Sequence, residues 1–236
     1  MSKIIVDDLQ KKYKKRAVLN GLSFKIENEI LFIAGENGAG KTTLIRLILK
    51  MDKQDAGHIE LLDDEKKPTT RSAAVFDSPT LYMGMTCLEN IHILGTGYLE
   101  DQGHVEKVIE SLRIRELLHE KVGNCSFGQQ HRISVAIALI RKPVFLFLDE
   151  PTVGLDPVSW ELVRDAVVNN QKEQNGCVIV TGQEYFALCN LSNKVLVLSG
   201  GAAKFFGTPD DLLSTYKTDG DDSNHLKDVF KMIYTG

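Results

Sequence analysis

The sequence predicts an α/β fold in which a mostly parallel core sheet is joined to an N-terminal antiparallel β subdomain and an inserted helical subdomain. Four short, continuous apolar runs are typical of strands that are buried on both faces, as in a parallel sheet. These runs are 30–34, 144–148, 177–180 and 195–198. Helical patterns lie between them, and strands that alternate with helices indicate βα units. Residues 1–26 instead contain short strands.

Composition narrows the class of protein. The chain has 236 residues, of which 43% are hydrophobic and 25% charged, as in a soluble globular protein of one domain. The formal net charge of −4 excludes the global basic charge of a nucleic-acid binder, so no nucleic-acid partner is expected. For the local basic run 11–16 a solvated turn is favoured over attraction to phosphates, anionic lipid or nucleic acid.

Other classes are excluded by what the sequence lacks. No apolar run approaches the ~20 residues of a membrane span, and the first residues do not form a signal peptide. The four cysteines form no CxxC pair that would indicate a zinc site or a disulfide framework. Reduced thiols in a cytosolic protein are therefore expected.

The predicted elements follow in order from the N-terminus. Residues 20–21 (Asn-Gly) indicate a turn between two strands, and 23–26 alternate as strand residues do. The first buried run stops at Gly35, and a helical pattern follows over 42–49. This order predicts a strand–loop–helix unit near the N-terminus.

The C-terminal part is predicted to end in a hairpin strand and a helix. After the glycines 200–201, residues 203–206 form the hairpin strand, which leads to a turn at 207–209. An acidic linker, 219–222, interpreted as a solvated loop, precedes a last amphipathic helix near 226–233.

We interpret the whole chain as one domain with three parts. Residues 1–77 and 141–208 form the catalytic core with its β subdomain, 78–140 form the inserted helical subdomain, and 209–236 form a tail that contains the last helix. The middle part is assigned to an insertion because its pattern is mainly helical and it lies between core strands.

A glycine-rich segment stands between the first buried run and the first helix and matches the pattern GxxxxGK[ST]. It consists of Gly35, Glu36, Asn37, Gly38, Ala39, Gly40, Lys41, Thr42 and Thr43. Glycines let backbone N–H groups point at phosphate oxygens, and the helix N-terminus adds its positive dipole. Lys41 is expected to reach the β- and γ-phosphates, Thr42 to bind Mg²⁺ and Thr43 to donate near the α-phosphate. The segment predicts a P-loop NTPase site that binds nucleotide phosphates and Mg²⁺.

The second buried run ends in two carboxylates, Asp149 and Glu150. Ligands bind at the carboxyl ends of the strands in open α/β sheets. Asp149 is expected to hold Mg²⁺, as a Walker B aspartate does, and Glu150 to polarise the attacking water as a general base. The alternative is an acid pair that only begins a helix, which the neighbouring glycine-rich segment makes less favoured.

Together with two further segments, these motifs resemble the nucleotide-binding subunit of ATP-binding-cassette (ABC) transporters over about 3–208. Residues 125–132 (CSFGQQHR), before a helical stretch at 133–140, are similar to that family's LSGGQ signature, and 151–156 resemble its D-loop. The resemblance implies an ATPase in which two cassettes enclose two ATP molecules. It implies that the signature residues Ser126, Gly128 and Gln129 contact a γ-phosphate held by the second cassette. It also implies that Tyr13 stacks on adenine.

Several positions differ from the residues usual in the family. Asp77 stands where the family has a glutamine that contacts Mg²⁺ and the attacking water, and Gln183 where it has a histidine. Gln183 can donate a hydrogen bond to a γ-phosphate oxygen but cannot become cationic, whereas Asp77 either binds Mg²⁺ or repels nucleotide. In the signature, Phe127 replaces the first glycine and Cys125 the leucine. These differences suggest hydrolysis that is slowed or differently regulated. Because Glu150 is retained, we do not expect hydrolysis to be lost.

The resemblance also implies partners and a location. Without a span of its own, the chain requires a separate transmembrane subunit, and a second cassette is expected as a homodimer. The location implied is cytoplasmic, peripheral on the inner face of the cell membrane. The surface that receives the membrane subunit is expected within 77–90, at Leu81, Tyr82, Met83 and Met85. The alternative is that these residues are ordinary subdomain core.

Two segments favour an exporter. The tail at 225–236 resembles the ending of export-type cassettes, and 78–82 resemble subunits that export or resist antimicrobial peptides. Two other functions remain open: a soluble ATP-dependent switch, and a degenerate cassette that binds ATP, hydrolyses little and pairs with an active partner. Stable binding to a membrane protein would distinguish a transporter subunit from the soluble switch. The degenerate cassette is suggested by Asp77 and Gln183.

Overall fold

The computed structural model describes residues 1–14, 16–63, 71–78, 80–95, 97, 99–183, 185–216 and 222–235. Lys15 of the basic run, Pro79, residues 219–221 of the acidic linker and Gly236 lie outside them. Nine strands are found in the described residues. They are β1 (Lys3–Tyr13), β2 (Arg16–Glu27), β3 (Ile30–Gly35), β4 (Ala56–Leu62), β5 (Ser72–Val75), β6 (Phe145–Leu148), β7 (Cys177–Gly182), β8 (Lys194–Ser199) and β9 (Ala202–Gly207).

Eight α-helices and two short 3₁₀ turns complete the described elements. The helices are α1 (Lys41–Ile48), α2 (Cys87–Leu94), α3 (Gln102–Ser111), α4 (Phe127–Ile140), α5 (Pro157–Gln174), α6 (Tyr185–Leu191), α7 (Pro209–Thr215) and α8 (Asp222–Thr235). In this part of the chain none of them is long and apolar enough to cross a bilayer.

The predicted core sheet is confirmed. Six strands lie in the order β5-β6-β7-β3-β8-β9, and every pair is parallel except the antiparallel pair β8 and β9. The four continuous apolar runs are the four inner strands. Both faces of these strands are covered by other elements, so they have no solvated face, which explains why their residues do not alternate between apolar and polar.

Both faces of this sheet are buried, but against different partners. Leu31 and Phe147 point toward the antiparallel sheet β2-β1-β4 and α1, whereas Phe32 and Leu146 point toward the other helices. Successive side chains of a strand alternate between faces, so each strand supplies both cores. The carboxyl ends of β3, β6 and β7 are therefore held rigidly beside one another.

The predicted turn at residues 20–21 is wrong. These residues lie inside β2, and the chain reverses after Tyr13, which pairs with Arg16. The register of β1 against β2 shifts around Leu9, and Gly21 has a φ of 71°. A positive φ also serves a β-bulge, which inserts one extra residue into a ladder and bends it. The Asn-Gly signal was therefore genuine, but the structure uses it for a bulge.

The region between β5 and β6 is helical as predicted, and α4 begins earlier than the helical stretch at 133–140. Ser126 is its N-cap and accepts a hydrogen bond from the backbone N–H of Gln129 at 3.3 Å. A second difference lies at 207–209, where Thr208 caps α7 instead of forming a free turn. The subdomain boundaries at 77/78, 140/141 and 208/209 stay predictions.

The predicted last helix is α8, and it rests on the core sheet through aromatic contacts. The ring of Phe230 stacks on Tyr185 with centroids 3.9 Å apart and meets Phe32 of β3 edge-on at 6.4 Å. Aromatic pairs of this kind add to the free energy gained by burial. The helix therefore closes the face of the sheet near the start of α6.

Candidate nucleotide-binding site

A cleft of about 670 Å³ opens at the carboxyl ends of β3, β6 and β7. This is the edge of an open parallel sheet where ligands bind. Its lining residues are Tyr13, Arg16, Val18, Asn37, Gly38, Gly40, Lys41, Thr42, Thr43, Asp77, Glu150, Val153 and Gln183. The cleft thus brings together most of the predicted site residues, although they lie far apart in sequence.

The glycine-rich loop has the geometry of an anion cradle. Gly38 and Gly40 have φ values of 80° and 105°, which residues with a side chain rarely adopt. A Cβ on Gly40 would also lie 2.9 Å from the Leu19 side chain. Among the described residues no side chain caps the start of α1, so its first N–H groups are available to a ligand.

Lys41 is buried at the base of the cradle. Its Nζ donates to the carbonyl oxygen of Gly35 at 2.7 Å and lies 3.1 Å from the carboxylate of Glu150. Both contacts hold the ammonium at the loop, where phosphate oxygens would arrive. The predicted phosphate-binding lysine and the predicted general base are therefore direct neighbours.

Asp149 anchors a chain of oxygen contacts. The Thr42 hydroxyl donates to one carboxylate oxygen at 2.6 Å, and the Thr181 hydroxyl donates to the other at 2.5 Å. Asp149 is only 2% exposed, so these contacts compensate the cost of burying its charge. A hydroxyl and a carboxylate oxygen are donors that Mg²⁺ prefers, so Thr42 and Asp149 fit the ion.

Glu150 adopts an unusual backbone conformation. Its φ is 53°, in the left-handed region, and its N–H donates to the Thr181 hydroxyl at 3.0 Å. Strained residues of this kind cluster at functional sites, where surrounding contacts hold them in place. The conformation places consecutive residues in different roles: Asp149 bonds Thr42, and Glu150 turns to Lys41 and the cleft.

Thr181 was not predicted from the sequence, although it is the residue on which both acids depend. It lies near the end of β7, fully buried. Only the pairing of β7 with β6 brings it beside Asp149 and Glu150. Its place just before Gln183, after a buried run, was the available signal.

Two of the residues that differ from the family's usual pattern, Gln183 and Asp77, also lie at the cleft. The Gln183 side-chain amide donates to the side-chain oxygen of Asn37 at 2.7 Å, so it is tied to the glycine-rich loop. Asp77 accepts a hydrogen bond from the backbone N–H of Ser78 at 2.7 Å. Both side chains stand close enough to line the same space as Glu150.

Tyr13 stands at the rim of the cleft. Its hydroxyl donates to the carboxylate of Asp52, and this bond lowers the pKa of Asp52 to about 2 and raises the pKa of Tyr13. The Lys11 ammonium lies 4.9 Å from the ring centroid. A base that stacks on Tyr13 would therefore use the opposite ring face.

Arg16 is a second residue that sequence reasoning missed. It lines the cleft, and its guanidinium would lie 3.7 Å from a Cβ on Gly38. The basic run 11–16 is the sequence feature that could have indicated Arg16, although its composition favours a solvated turn. The close pairing of Tyr13 with Arg16 turns this cation toward the loop.

The signature residues do not line this cleft. The backbone N–H of Ser126 donates to the side chain of Gln129 at 2.8 Å, so the two residues cap α4 reciprocally. Phe127 is 42% exposed, and its ring fills the space beside Gly154, where any Cβ would overlap it. The start of α4 and the loop after Glu150 are thereby packed together within one chain.

Comparison with known proteins identifies the family. Residues 19–153 match the family model described as "ABC transporter". The Nod factor export ATP-binding protein I of Rhizobium etli is 32% identical over 90% of this chain and 70% of its own length. The phosphonates import ATP-binding protein PhnC 2 of Haloarcula marismortui is 30% identical over 89% and 86%. The bacitracin transport ATP-binding protein BcrA of Bacillus licheniformis is 29% identical over 85% and 68%.

Solved structures agree on the fold. An ATP-binding subunit of an ABC transporter superposes with a TM-score of 0.83 at 22% identity, over 98% of both chains. A dimeric, post-hydrolysis ATP-binding cassette bound to ADP and Pi superposes with a TM-score of 0.74 at 23% identity, over 87% of this chain and 98% of that one. The chain belongs to the ABC transporter family, as an ATP-binding cassette of the ATPase class.

Proposed function

We propose that the chain binds Mg-ATP in the described cleft, hydrolyses it to ADP and phosphate, and works as a dimer that drives a separate membrane subunit. One observation carries the proposal: Lys41 and Thr42 of the glycine-rich loop contact Glu150 and Asp149 directly. The glycine-rich loop, the proposed base Glu150 and the proposed Mg²⁺ ligand Asp149 are thus already in contact with one another. This arrangement suits phosphoryl transfer, in which positioning and charge stabilisation supply most of the catalysis.

The individual roles follow from the contacts. The Lys41 ammonium would exchange its contact with Glu150 for phosphate oxygens, which frees Glu150 to accept a proton from the attacking water. Thr42 and Asp149 would hold Mg²⁺, which when bound neutralises charge on the β- and γ-phosphates. The Gln183 amide, now on Asn37, would donate to a γ-phosphate oxygen.

Mg-ATP hydrolysis by the purified chain tests this mechanism. Glu150→Gln removes the base while keeping the shape of the side chain, so hydrolysis should fall at least about tenfold while ATP still binds. Glu161→Gln, on the exposed side of α5, is the matched control and should keep the parent rate. Equal rates in Glu150→Gln and the parent would remove the assignment of the base.

A membrane partner is supported by an exposed apolar surface at 82–85. Tyr82 is 51% exposed, and Met83 and Met85 are exposed as well, whereas Leu81 packs partly against the core. Three exposed large apolar side chains within four residues suit an adaptable contact surface. The proposed location follows: cytoplasmic, held at the inner face of the membrane by this contact.

Co-purification tests the docking surface. Tagged chain is isolated from detergent-solubilised membranes of its own cells, and the polytopic membrane protein that accompanies it is identified by mass spectrometry. Tyr82→Glu should lose that protein and keep ATP binding, while Met232→Glu on α8, equally exposed, should keep both. Undiminished co-purification of Tyr82→Glu would place the contact elsewhere.

Export is the direction we propose. Relatives named for Nod factor export, bacitracin transport and linearmycin resistance support it, and relatives named for phosphonate and glycerol-3-phosphate import support the opposite. Deletion of the chain should make cells more sensitive to membrane-active antimicrobial compounds. Unchanged sensitivity together with lost uptake of a nutrient would reverse the direction.

A cassette that binds ATP but turns it over slowly is the second candidate. Three observations favour it: Asp77 adds a carboxylate to the cleft, Gln183 cannot carry charge, and Phe127 replaces the first signature glycine with a ring that packs against Gly154. If the parent hydrolyses little ATP, Gln183→His should raise the rate. No rise, with ATP bound, would favour a switch whose cycle is set by a partner.

A further inference from the structure

Two of the four cysteines, distant in sequence, lie against each other beside the start of α4. The Sγ atoms of Cys87 and Cys125 are 3.7 Å apart. Cys87 is the first residue of α2, and Cys125 immediately precedes the N-cap Ser126. The two thiols therefore face each other between the N-termini of two helices.

The backbone already holds this pair in register. Thr86 pairs with Lys121 in a β-bridge, and the Cys87 N–H donates to the Glu120 carbonyl oxygen at 2.9 Å. A disulfide bond is about 2.0 Å long, so the sulfurs must approach by roughly 1.7 Å. Closure therefore requires the two side chains to rotate about χ1.

The two thiols differ in access. Cys125 is 8% exposed, and Cys87 is fully buried. Burial, and then the contact with Cys125, raise the pKa of Cys87 to about 12. Cys125 is thus the thiol that an oxidant reaches first, with Cys87 held behind it. Cys177 and Cys189 are also buried, and neither has a second thiol as a hydrogen-bond partner.

We propose that Cys87 and Cys125 form a redox-modification site that closes to an intrachain disulfide when the folded protein meets a peroxide. The Cys125 thiolate attacks one oxygen of hydrogen peroxide and becomes a sulfenic acid as the O–O bond breaks, and the departing hydroxide takes up one proton and leaves as water. The Cys87 sulfur then displaces the hydroxyl group from the Cys125 sulfur, and that hydroxyl leaves with the Cys87 proton as a second water. The two thiols together lose two electrons, and one molecule of hydrogen peroxide accepts them. A thiol reductant reverses the bond.

The bond would fasten α2 to the start of α4. The turn before α2 already contacts the same segment, because the Met85 carbonyl oxygen accepts from Val122 N–H at 2.9 Å and the Met83 carbonyl oxygen from Gly123 N–H at 3.0 Å. A covalent link at Cys87 and Cys125 restrains these neighbouring hydrogen bonds. Their opening should slow, because the segment can no longer separate from α2.

The test is a peptide map of the full chain. The reduced, folded protein is treated with a small excess of hydrogen peroxide, free thiols are blocked, and the protein is digested without reduction. We expect a linked pair of peptides containing Cys87 and Cys125, lighter by two hydrogen atoms, which dithiothreitol separates. We also expect a higher melting temperature and slower amide exchange in 83–87 and 122–127.

Matched variants make the result specific. Cys125→Ala should lose the linked peptides, and the double variant Cys177→Ala, Cys189→Ala should keep them. Absence of the link in the unaltered chain would overturn the proposal, as would Cys125 stopping at sulfenic or sulfinic acid with Cys87 still free. If the linked protein has the same melting temperature and amide exchange as the reduced protein, the disulfide does not fasten α2 to the start of α4, and that part of the proposal is overturned.

Discussion

At the scale of single residues, Thr181 supports the chemistry without facing the cleft. Its hydroxyl donates to Asp149 and accepts from the backbone N–H of Glu150. The residue thereby fixes one carboxylate and the strained backbone of the next. A positioning residue of this kind acts through its neighbours.

Thr181→Val should therefore slow ATP hydrolysis about tenfold or more, since it keeps the shape and removes both hydrogen bonds. A buried carboxylate oxygen is left unpaired, which should lower the free energy of unfolding by about 1–3 kcal/mol. Steady-state hydrolysis and urea unfolding measure the two effects. Thr181→Ser retains the hydroxyl and should recover most of the rate; if it is as slow as Thr181→Val, the two hydrogen bonds alone do not account for the loss.

His131 predicts a pH dependence of stability. It is 1% exposed, neither ring nitrogen finds a hydrogen-bond partner among the described residues, and burial lowers its pKa to about 4. An unfolded histidine has a pKa of about 6.5, so the unfolded chain binds more protons between these values. Stability from this residue is therefore complete above pH ~6.5 and falls by about 3 kcal/mol as the pH drops to 4.

Urea unfolding at several pH values measures this loss. His131→Leu removes the titrating group from the same buried position, so its stability should fall less between pH 6.5 and 4 than that of the parent. If the free energy of unfolding falls with pH equally in the two proteins, groups other than His131 cause the loss of stability at acidic pH.

At the scale of elements, the ring of Phe230 connects α8 to the catalytic part of the chain. Phe230 is buried between Tyr185 and Phe32, and Tyr185 follows Gln183 by two residues. Phe230→Ala should cost about 3–5 kcal/mol of unfolding free energy, because it leaves a cavity under α6. The exposed Met232→Ala on the same helix is the control and should stay near the parent.

Loss of hydrolysis should accompany Phe230→Ala at temperatures where the variant is still folded. The reason is that α6 sets the position of the segment carrying Gln183. If the variant is destabilised yet hydrolyses ATP at the parent rate, the packing of α8 does not influence the catalytic site.

Which elements the sequence could predict follows from how local their signals are. The inner strands are continuous apolar runs, and the glycine-rich loop contains the glycines that its backbone conformation requires. Both can therefore be predicted from short stretches of sequence. The bulge at Gly21, the position of Arg16 beside the loop and the role of Thr181 depend on pairings between strands. The same holds for the facing thiols of Cys87 and Cys125. Such long-range contacts leave no periodic pattern.

At the scale of the whole molecule, assembly should depend on the nucleotide. If two cassettes enclose ATP, Glu150→Gln should accumulate the dimer, because it binds ATP and cannot release it by hydrolysis. Light scattering should then show the mass rising from 26.3 kDa to twice that value with ATP and returning to the smaller mass with ADP. A constant mass in both nucleotides would argue for a heteromeric partner.

The edges of the core sheet bear on how the molecule behaves when concentrated. One edge strand, β5, is only four residues long, and the other, β9, carries the exposed Lys204. Short strands and lysine at an edge discourage pairing with a strand of another molecule, which is the usual first step toward amyloid-like aggregates. Copies of this chain are therefore not expected to extend the core sheet into backbone ladders that would grow without limit, and the association proposed around ATP would end when the nucleotide leaves.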